Sequence, residues 1–136
     1  MRYLSIDYGS KRIGIAVSDD EGRMAFPAGF IPNRGKAVIR EIADRIRKEH
    51  ADLIVVGMPM GLDGKETEQT YATRLFVAAL QNAIHLSIET ENEMLTSRMA
   101  ERSGMKDGHI DAASAALILQ SYLDKENAKL KNQNGK

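Results

Sequence analysis

Tyr3-Leu4-Ser5-Ile6-Asp7-Tyr8-Gly9-Ser10-Lys11-Arg12-Ile13-Gly14-Ile15-Ala16-Val17-Ser18 opens the chain and decides its fold. Two apolar runs, Tyr3 to Asp7 and Arg12 to Ser18, flank a glycine-containing turn, which is the pattern of two strands joined as a hairpin. Asp19-Asp20-Glu21-Gly22 is a second turn, and Arg23 to Ile31 reads as a third strand. Pro27 assigns that strand to an edge, because proline cannot donate to a ladder. The three strands form an antiparallel meander.

Beyond Asn33-Arg34-Gly35 the pattern changes. From Lys36 to His50 the apolar residues Ala37, Val38, Ile42, Ala43 and Ile46 recur at helical spacing. Asp52 to Gly57 is a continuous apolar run, as expected of a strand covered on both faces. A Pro/Gly loop from Met58 to Gly64 follows, then a helix from Glu66 to Ala83 and an alternating strand from Ile84 to Thr90. A helix starts near Thr96 or Ser97 and ends before Gly104, and a last helix runs from Ala112 to Asp124. The order implies an α/β domain over residues 1–124, with a five-stranded mixed sheet carrying helices on both faces. Its three-strand meander is extended by two parallel strands. The polar tail, residues 125–136, is expected to be flexible.

Composition narrows the function. The 136 residues are 43% hydrophobic and 28% charged, which suits one soluble domain with its own core. Cysteine is absent, so neither disulfides nor thiolate metal sites are available. No apolar stretch approaches a membrane span, and Arg2 leads straight into the first strand without a signal peptide. A cytoplasmic protein without membrane contact is expected. Nineteen basic residues balance nineteen acidic ones, whereas nucleic-acid binders usually carry a basic excess. The basic run Arg34 to Lys48 reads first as a solvated helix face.

Three carboxylates stand out because a sheet could gather them at one end of a cleft. Asp7 ends the first apolar run, Glu93 follows the last strand, and Asp111 stands at the threshold of the last helix. Acids gathered this way repel one another unless a cation lies between them. Mg²⁺ or Mn²⁺, hard ions with a preference for oxygen, suit such a set and suit phosphate chemistry. Each acid also has a plainer role. Asp7 can stabilise the turn. Glu93 shares strand parity with Glu89 and Glu91, so all three can be solvated, and Glu91 is the substitute ligand if the register differs. Asp111 can cap the last helix. Lys11 and Arg12 are candidates for phosphate contact, as are Thr96 and Ser97 at a helix N-terminus. His50, His85 and His109 share no spacing and read as bystanders.

Three blocks carry a family resemblance. Asp7-Tyr8-Gly9-Ser10-Lys11-Arg12-Ile13-Gly14 resembles the opening of the YqgF family, whose members are named as pre-16S rRNA nucleases. Val55-Val56-Gly57-Met58-Pro59-Met60-Gly61 resembles its central loop, and Ile110-Asp111-Ala112-Ala113-Ser114-Ala115-Ala116 its closing helix. The resemblance implies a ribonuclease H-like fold related to Holliday junction resolvases. It also implies catalysis and metal binding by Asp7, Glu93 and Asp111. In the middle block Asn92 and Met94 replace the charged residues typical beside the glutamate. The reading that results is a metal-dependent nuclease acting on structured RNA, with the 5′ side of precursor 16S rRNA as substrate. Cleavage of branched, four-way DNA is the alternative, and a catalytically weakened RNA-binding module on the same fold is another. A monomer or weak homodimer is expected. A sugar-kinase-like phosphotransferase would need a second lobe, for which the chain has no room.

Overall fold

The computed structural model describes residues 1–93 and 107–134, with the side chains of 107–110 and 131–134 left undescribed. Strands β1 (Tyr3–Tyr8), β2 (Arg12–Ser18), β3 (Ala25–Pro32), β4 (Leu53–Met58) and β5 (Ile88–Asn92) form one sheet in the order β3-β2-β1-β4-β5. β1 pairs antiparallel with β2, and β2 with β3, while β1–β4 and β4–β5 are parallel. The meander, the two parallel strands and the edge position of β3 match the sequence expectation. Helices α1 (Val38–Lys48) and α2 (Glu68–Ala83) follow β3 and β4, and α3 (Asp107–Asn134) closes the chain.

The two faces of the sheet differ in the bulk of their side chains. On one, Leu4, Ile6, Ile13, Ile15, Ile54 and Val56 pack against Val38, Ile42 and Ile46 of α1 and Phe76 and Leu80 of α2. On the other, Ser5, Gly14, Ala16 and Gly57 leave a shallow bed for α3, which lays Ala115, Ile118, Leu119 and Leu123 on Ala16 and Val55. Each such large aliphatic side chain, when fully buried, contributes about 1.5–3 kcal/mol. The Ser5 hydroxyl donates to the Ala115 carbonyl at 2.7 Å, fixing the helix along β1. At Gly14 the approach is closest: a β-carbon there would lie 1.9 Å from the Asp111 carbonyl oxygen.

Several boundaries differ from the sequence reading, each for a local reason. β3 starts at Ala25 rather than Arg23, because the Asp19 carboxylate accepts from the backbone N–H groups of Arg23 and Met24 at 2.8 and 3.0 Å and keeps both in the turn. α2 begins after Thr67, whose hydroxyl accepts from the Thr70 N–H while Thr67 N–H donates to Thr70 Oγ1, a reciprocal cap. β5 begins at Ile88 rather than Ile84. Ile84 terminates α2 and is buried in the α1–α2 core, with Leu86 packed beside it, so their alternation records packing rather than ladder pairing. α3 begins at Asp107, which puts Asp111 inside the helix and overturns its reading as an N-cap. The helix also continues to Asn134, past the expected boundary at Asp124 and through most of the tail read as flexible. Lys125 bonds Glu91 at 2.7 Å and Asn127 bonds the Gly22 carbonyl at 3.2 Å, tying this extension to the sheet. The helix expected between Thr96 and Gly104 lies outside the described residues.

The Gly14 contact generates a stability prediction. Gly14→Ala forces the α3 backbone away from β2 and should cost at least about 1–3 kcal/mol, the usual range for overpacking. Urea denaturation measures it, and an unchanged midpoint would contradict the described approach.

Candidate active site

The parallel strands deliver the acids to one end of the sheet. Asp7 lies near the carboxyl end of β1, opposite Gly14 in the ladder, and on the α3 face because it shares parity with Ser5. Glu93 immediately follows β5, and its N–H donates to the Met58 carbonyl at 3.2 Å, continuing the β4–β5 pairing by one bond. Gly57 lies between them. A β-carbon at Gly57 would meet Glu93 Oε2 at 3.0 Å and Ile118 Cδ1 at 2.4 Å. The missing side chain is therefore the space into which the Glu93 carboxyl folds. There it is hydrogen-bonded to Asp7.

This pair is electrostatically costly. Burial, then the charge of Asp7 and the hydrogen bond donated to it, push the Glu93 carboxyl up to about 8. Burial, then the Asp111 charge, raise Asp7 to about 6, although the hydrogen bond from Glu93 acts the other way. Both carboxyls thus hold their protons more tightly than exposed acids, and a hydrogen bond joins them. Glu93 is 8% exposed, and its Oε2 is buried without a hydrogen-bond partner among the described residues. A native buried oxygen left this way calls for an explanation, and a cation is one of the few that chemistry offers.

Asp111 reaches the same end from above. The α3–Gly14 contact fixes its backbone over the residue opposite Asp7. Its Oδ2 accepts from Arg12 Nε at 2.7 Å, so the guanidinium offsets the charge of this acid in the first turns of the helix. Among the described residues no three carboxylate or imidazole side chains already form a ligand cluster. Asp7 and Glu93 are joined, while Asp111 is turned to Arg12. The Asp7–Glu93 donors are carboxyl oxygens, one of them without a partner among the described residues, and such donors suit a hard divalent cation.

The remaining candidates divide. Arg12 is half-buried on Asp111 rather than presented wholly to solvent, and Lys11 is exposed in the β1–β2 turn. Thr96 and Ser97 lie outside the described residues. Glu91 is 6% exposed, and its Oε2 accepts from Ser121 Oγ and Lys125 Nζ, both at 2.7 Å. Glu91 thus secures α3 to β5 rather than serving as the substitute ligand. The expectation of a solvated glutamate face holds for Glu89 and fails for Glu91 and Glu93. His50 and His85 line a cavity of about 330 Å³ with Ile46 and Ile84 at the ends of α1 and α2. Sequence reading missed the parts played by Gly14 and Gly57. A lone glycine inside a strand pattern, which commonly marks a close backbone approach, was the available signal.

A pH dependence follows. The folded-state affinities of Asp7 and Glu93 for protons exceed those of the unfolded chain, so their contribution is fully present below pH ~4, the ordinary carboxylate range. It is lost as pH rises through about 6 and then about 8. The urea midpoint measured in EDTA should fall between those pH values, and Asp7→Asn should flatten the fall. A wild-type midpoint that is constant or rises over this window would contradict the raised Asp7–Glu93 pair.

Comparison with known proteins bears on this arrangement. The profile of the RuvX family, described as Holliday junction resolvase, matches residues 1–125. A Sulfurihydrogenibium protein (strain YO3AOP1) named "Putative pre-16S rRNA nuclease" is 42% identical over 132 residues, covering 91% of this chain and 90% of its own. A Synechococcus protein (strain JA-2-3B'a(2-13)) of the same name is 39% identical, covering 93% of this chain and 80% of its own. Among solved structures, Thermus thermophilus RuvC in complex with a Holliday junction substrate superposes with a TM-score of 0.60 at 12% identity, over 93% of this chain and 95% of that one. The last likeness supports the ribonuclease H-like fold. With its profile matched over nearly the whole length and relatives above a third identical, the chain belongs to the RuvX (YqgF) family of nucleases.

Proposed function

We propose that this chain is a divalent-metal-dependent endonuclease that hydrolyses phosphodiester bonds in structured RNA, its substrate being the 5′ side of precursor 16S rRNA. The observation that carries the reading is the Asp7–Glu93 pair, with Glu93 buried and Asp7 half-buried near Asp111, and one Glu93 oxygen without a partner among the described residues. Such an arrangement is expensive to keep in a fold and has a chemical use once a cation is bound. The names of the relatives supply the substrate.

In this reading Asp7 and Glu93 are the principal ligands of Mg²⁺ or Mn²⁺, and Asp111 the third. The bound cation would offset charge on the phosphate and lower the pKa of the attacking water. Arg12 supports the site twice: it fixes Asp111 while the carboxylate is without a cation, and it lies at the rim where backbone phosphates pass. Lys11 offers a further positive charge to the same strand. Thr96 and Ser97 are assigned to substrate contact from the family pattern alone. Asn92 is exposed while Glu93 turns inward, so loss of the flanking charge leaves the acidic pair intact. That observation favours an active enzyme over a binding module. Among the described residues no helix is long and apolar enough to cross a membrane. From composition and the family resemblance we assign a single domain acting in the cytoplasm as a monomer or weak homodimer.

The likeness to RuvC favours a second reading, cleavage of four-way DNA junctions. Symmetric cutting of a junction calls for a two-fold dimer. Incubating a labelled precursor-rRNA fragment and a four-way DNA junction with Mg²⁺ or Mn²⁺ separates the readings. Wild type should cut the RNA in preference, and Asp7→Asn should lower the rate roughly 100-fold or more, as removal of a key electrostatic group does. Preference for the junction would establish the second reading. Cleavage of neither, or equal cleavage by Asp7→Asn, would refute the metal-nuclease mechanism.

A further inference from the structure

β3 contains a bulge whose effect is to change the face on which Phe30 stands. Ala16 pairs with Pro27 and Gly14 with Phe30, so a single residue of β2, Ile15, is opposed by both Ala28 and Gly29. Gly29 takes φ 88, the left-handed conformation that such bulges reserve for glycine. Had the register set at Pro27 run on without a bulge, Phe30 would pair with Ile13 and face the α1–α2 core. With it, Phe30 pairs with Gly14, and Gly14 with Asp7, so Phe30 and Asp7 share one cross-strand row and one face. They are two strand spacings apart, ~10 Å. Between them lies the start of α3, where the Asp111 backbone meets Gly14. Arg12 is next along the same face of β2, opposite Pro32.

Phe30 remains 42% exposed. A large aromatic ring left partly open to water, on the sheet face that carries Asp7 and Arg12, is suited to a flat ligand. Pro27 and Pro32 remove backbone donors from this edge, which weakens the alternative of strand-to-strand pairing with another chain. Unpaired bases present such flat faces, and proteins stack them on aromatic side chains without reading sequence.

We propose that Phe30 is a stacking platform for an unpaired nucleobase flanking the phosphate at the acidic site. The inference rests on the nuclease reading and adds to it a preference for substrates with an unpaired nucleotide on the β3 side. Lys11 and Arg12 would hold the intervening backbone while the ring of Phe30 holds the base. Phe30→Trp keeps a stacking surface, whereas Phe30→Leu keeps apolar bulk without one.

The test uses the full chain and two probes: a labelled single-stranded RNA containing 2-aminopurine, and a fully paired RNA duplex. Urea midpoints first show that all variants fold. Phe30→Ala and Phe30→Leu should bind the single strand roughly tenfold or more weakly, in line with loss of one stacked base. Phe30→Trp should restore affinity, and duplex binding should change little in any variant. Quenching of 2-aminopurine should accompany wild type and Phe30→Trp only. Equal affinity of wild type and Phe30→Leu for the single strand would overturn the proposal, as would quenching that survives in Phe30→Ala. A change in mass in solution with unchanged affinity per chain would also overturn it, identifying Phe30 as a contact between copies. If wild type cleaves RNA yet Phe30→Ala binds normally, only this inference falls. If wild type neither binds nor cleaves, the nuclease reading falls and takes this inference with it.

Discussion

The contact of α3 with the sheet over Gly14 is the constraint on which the rest depends. The helix backbone comes so close there that a single methyl group would overlap the Asp111 carbonyl. Gly14 pairs with Asp7, so the same contact that seats the helix also sets one acid over another. Ala16 on the same strand, and Ser5 and Gly57 on the strands beyond, continue the bed of small side chains. The opposite face, built of Ile, Leu and Val, keeps α1 and α2 at ordinary packing distance. Site geometry is thus a consequence of side-chain size on one face of a sheet.

Electrostatics explain why such a site must be held by the scaffold. Once both are ionised, Asp7 and Glu93 repel each other and would separate if they were free to do so. Parallel strand ends, the empty space at Gly57 and the weight of α3 prevent it. Glu91 contributes indirectly, since its bonds to Ser121 and Lys125 fasten the far half of the helix to β5. Arg12 provides partial relief by pairing with Asp111. The stability of the cation-free protein and its chemical usefulness therefore oppose each other, as is common where ionisable groups are gathered for catalysis.

Much of this was legible in the sequence. The three-strand meander and the two parallel strands follow from two hairpin turns and the later alternation of helices and strands, and Pro27 disclosed the edge. The three acids could be picked out as a set, more securely through family resemblance than through chemistry alone. What escaped was whatever depends on pairing between distant segments. Glu91 and Glu93 have the same parity, and only the neighbours supplied by α3 assign one to an ion pair and the other to Asp7. Asp111 read as a cap because the residues before it carry no strong helical pattern, although α3 starts at Asp107. Phe30 read as an ordinary strand residue because a bulge that shifts register by one cannot be seen in either strand by itself. Ile84 and Leu86 misplaced the start of β5, since alternating burial against helices imitates alternating burial in a ladder.

The central claim is that Asp7, Glu93 and Asp111 form one site for a divalent cation. Titration of Mn²⁺ into the protein, followed by electron paramagnetic resonance of the free ion, tests it without reference to any substrate. Wild type should take up Mn²⁺, and both Asp7→Asn and Glu93→Gln should bind it at least tenfold more weakly, a modest demand for the loss of a charged ligand. Wild type that leaves Mn²⁺ free in solution, or variants that bind it as tightly as wild type, would contradict the account.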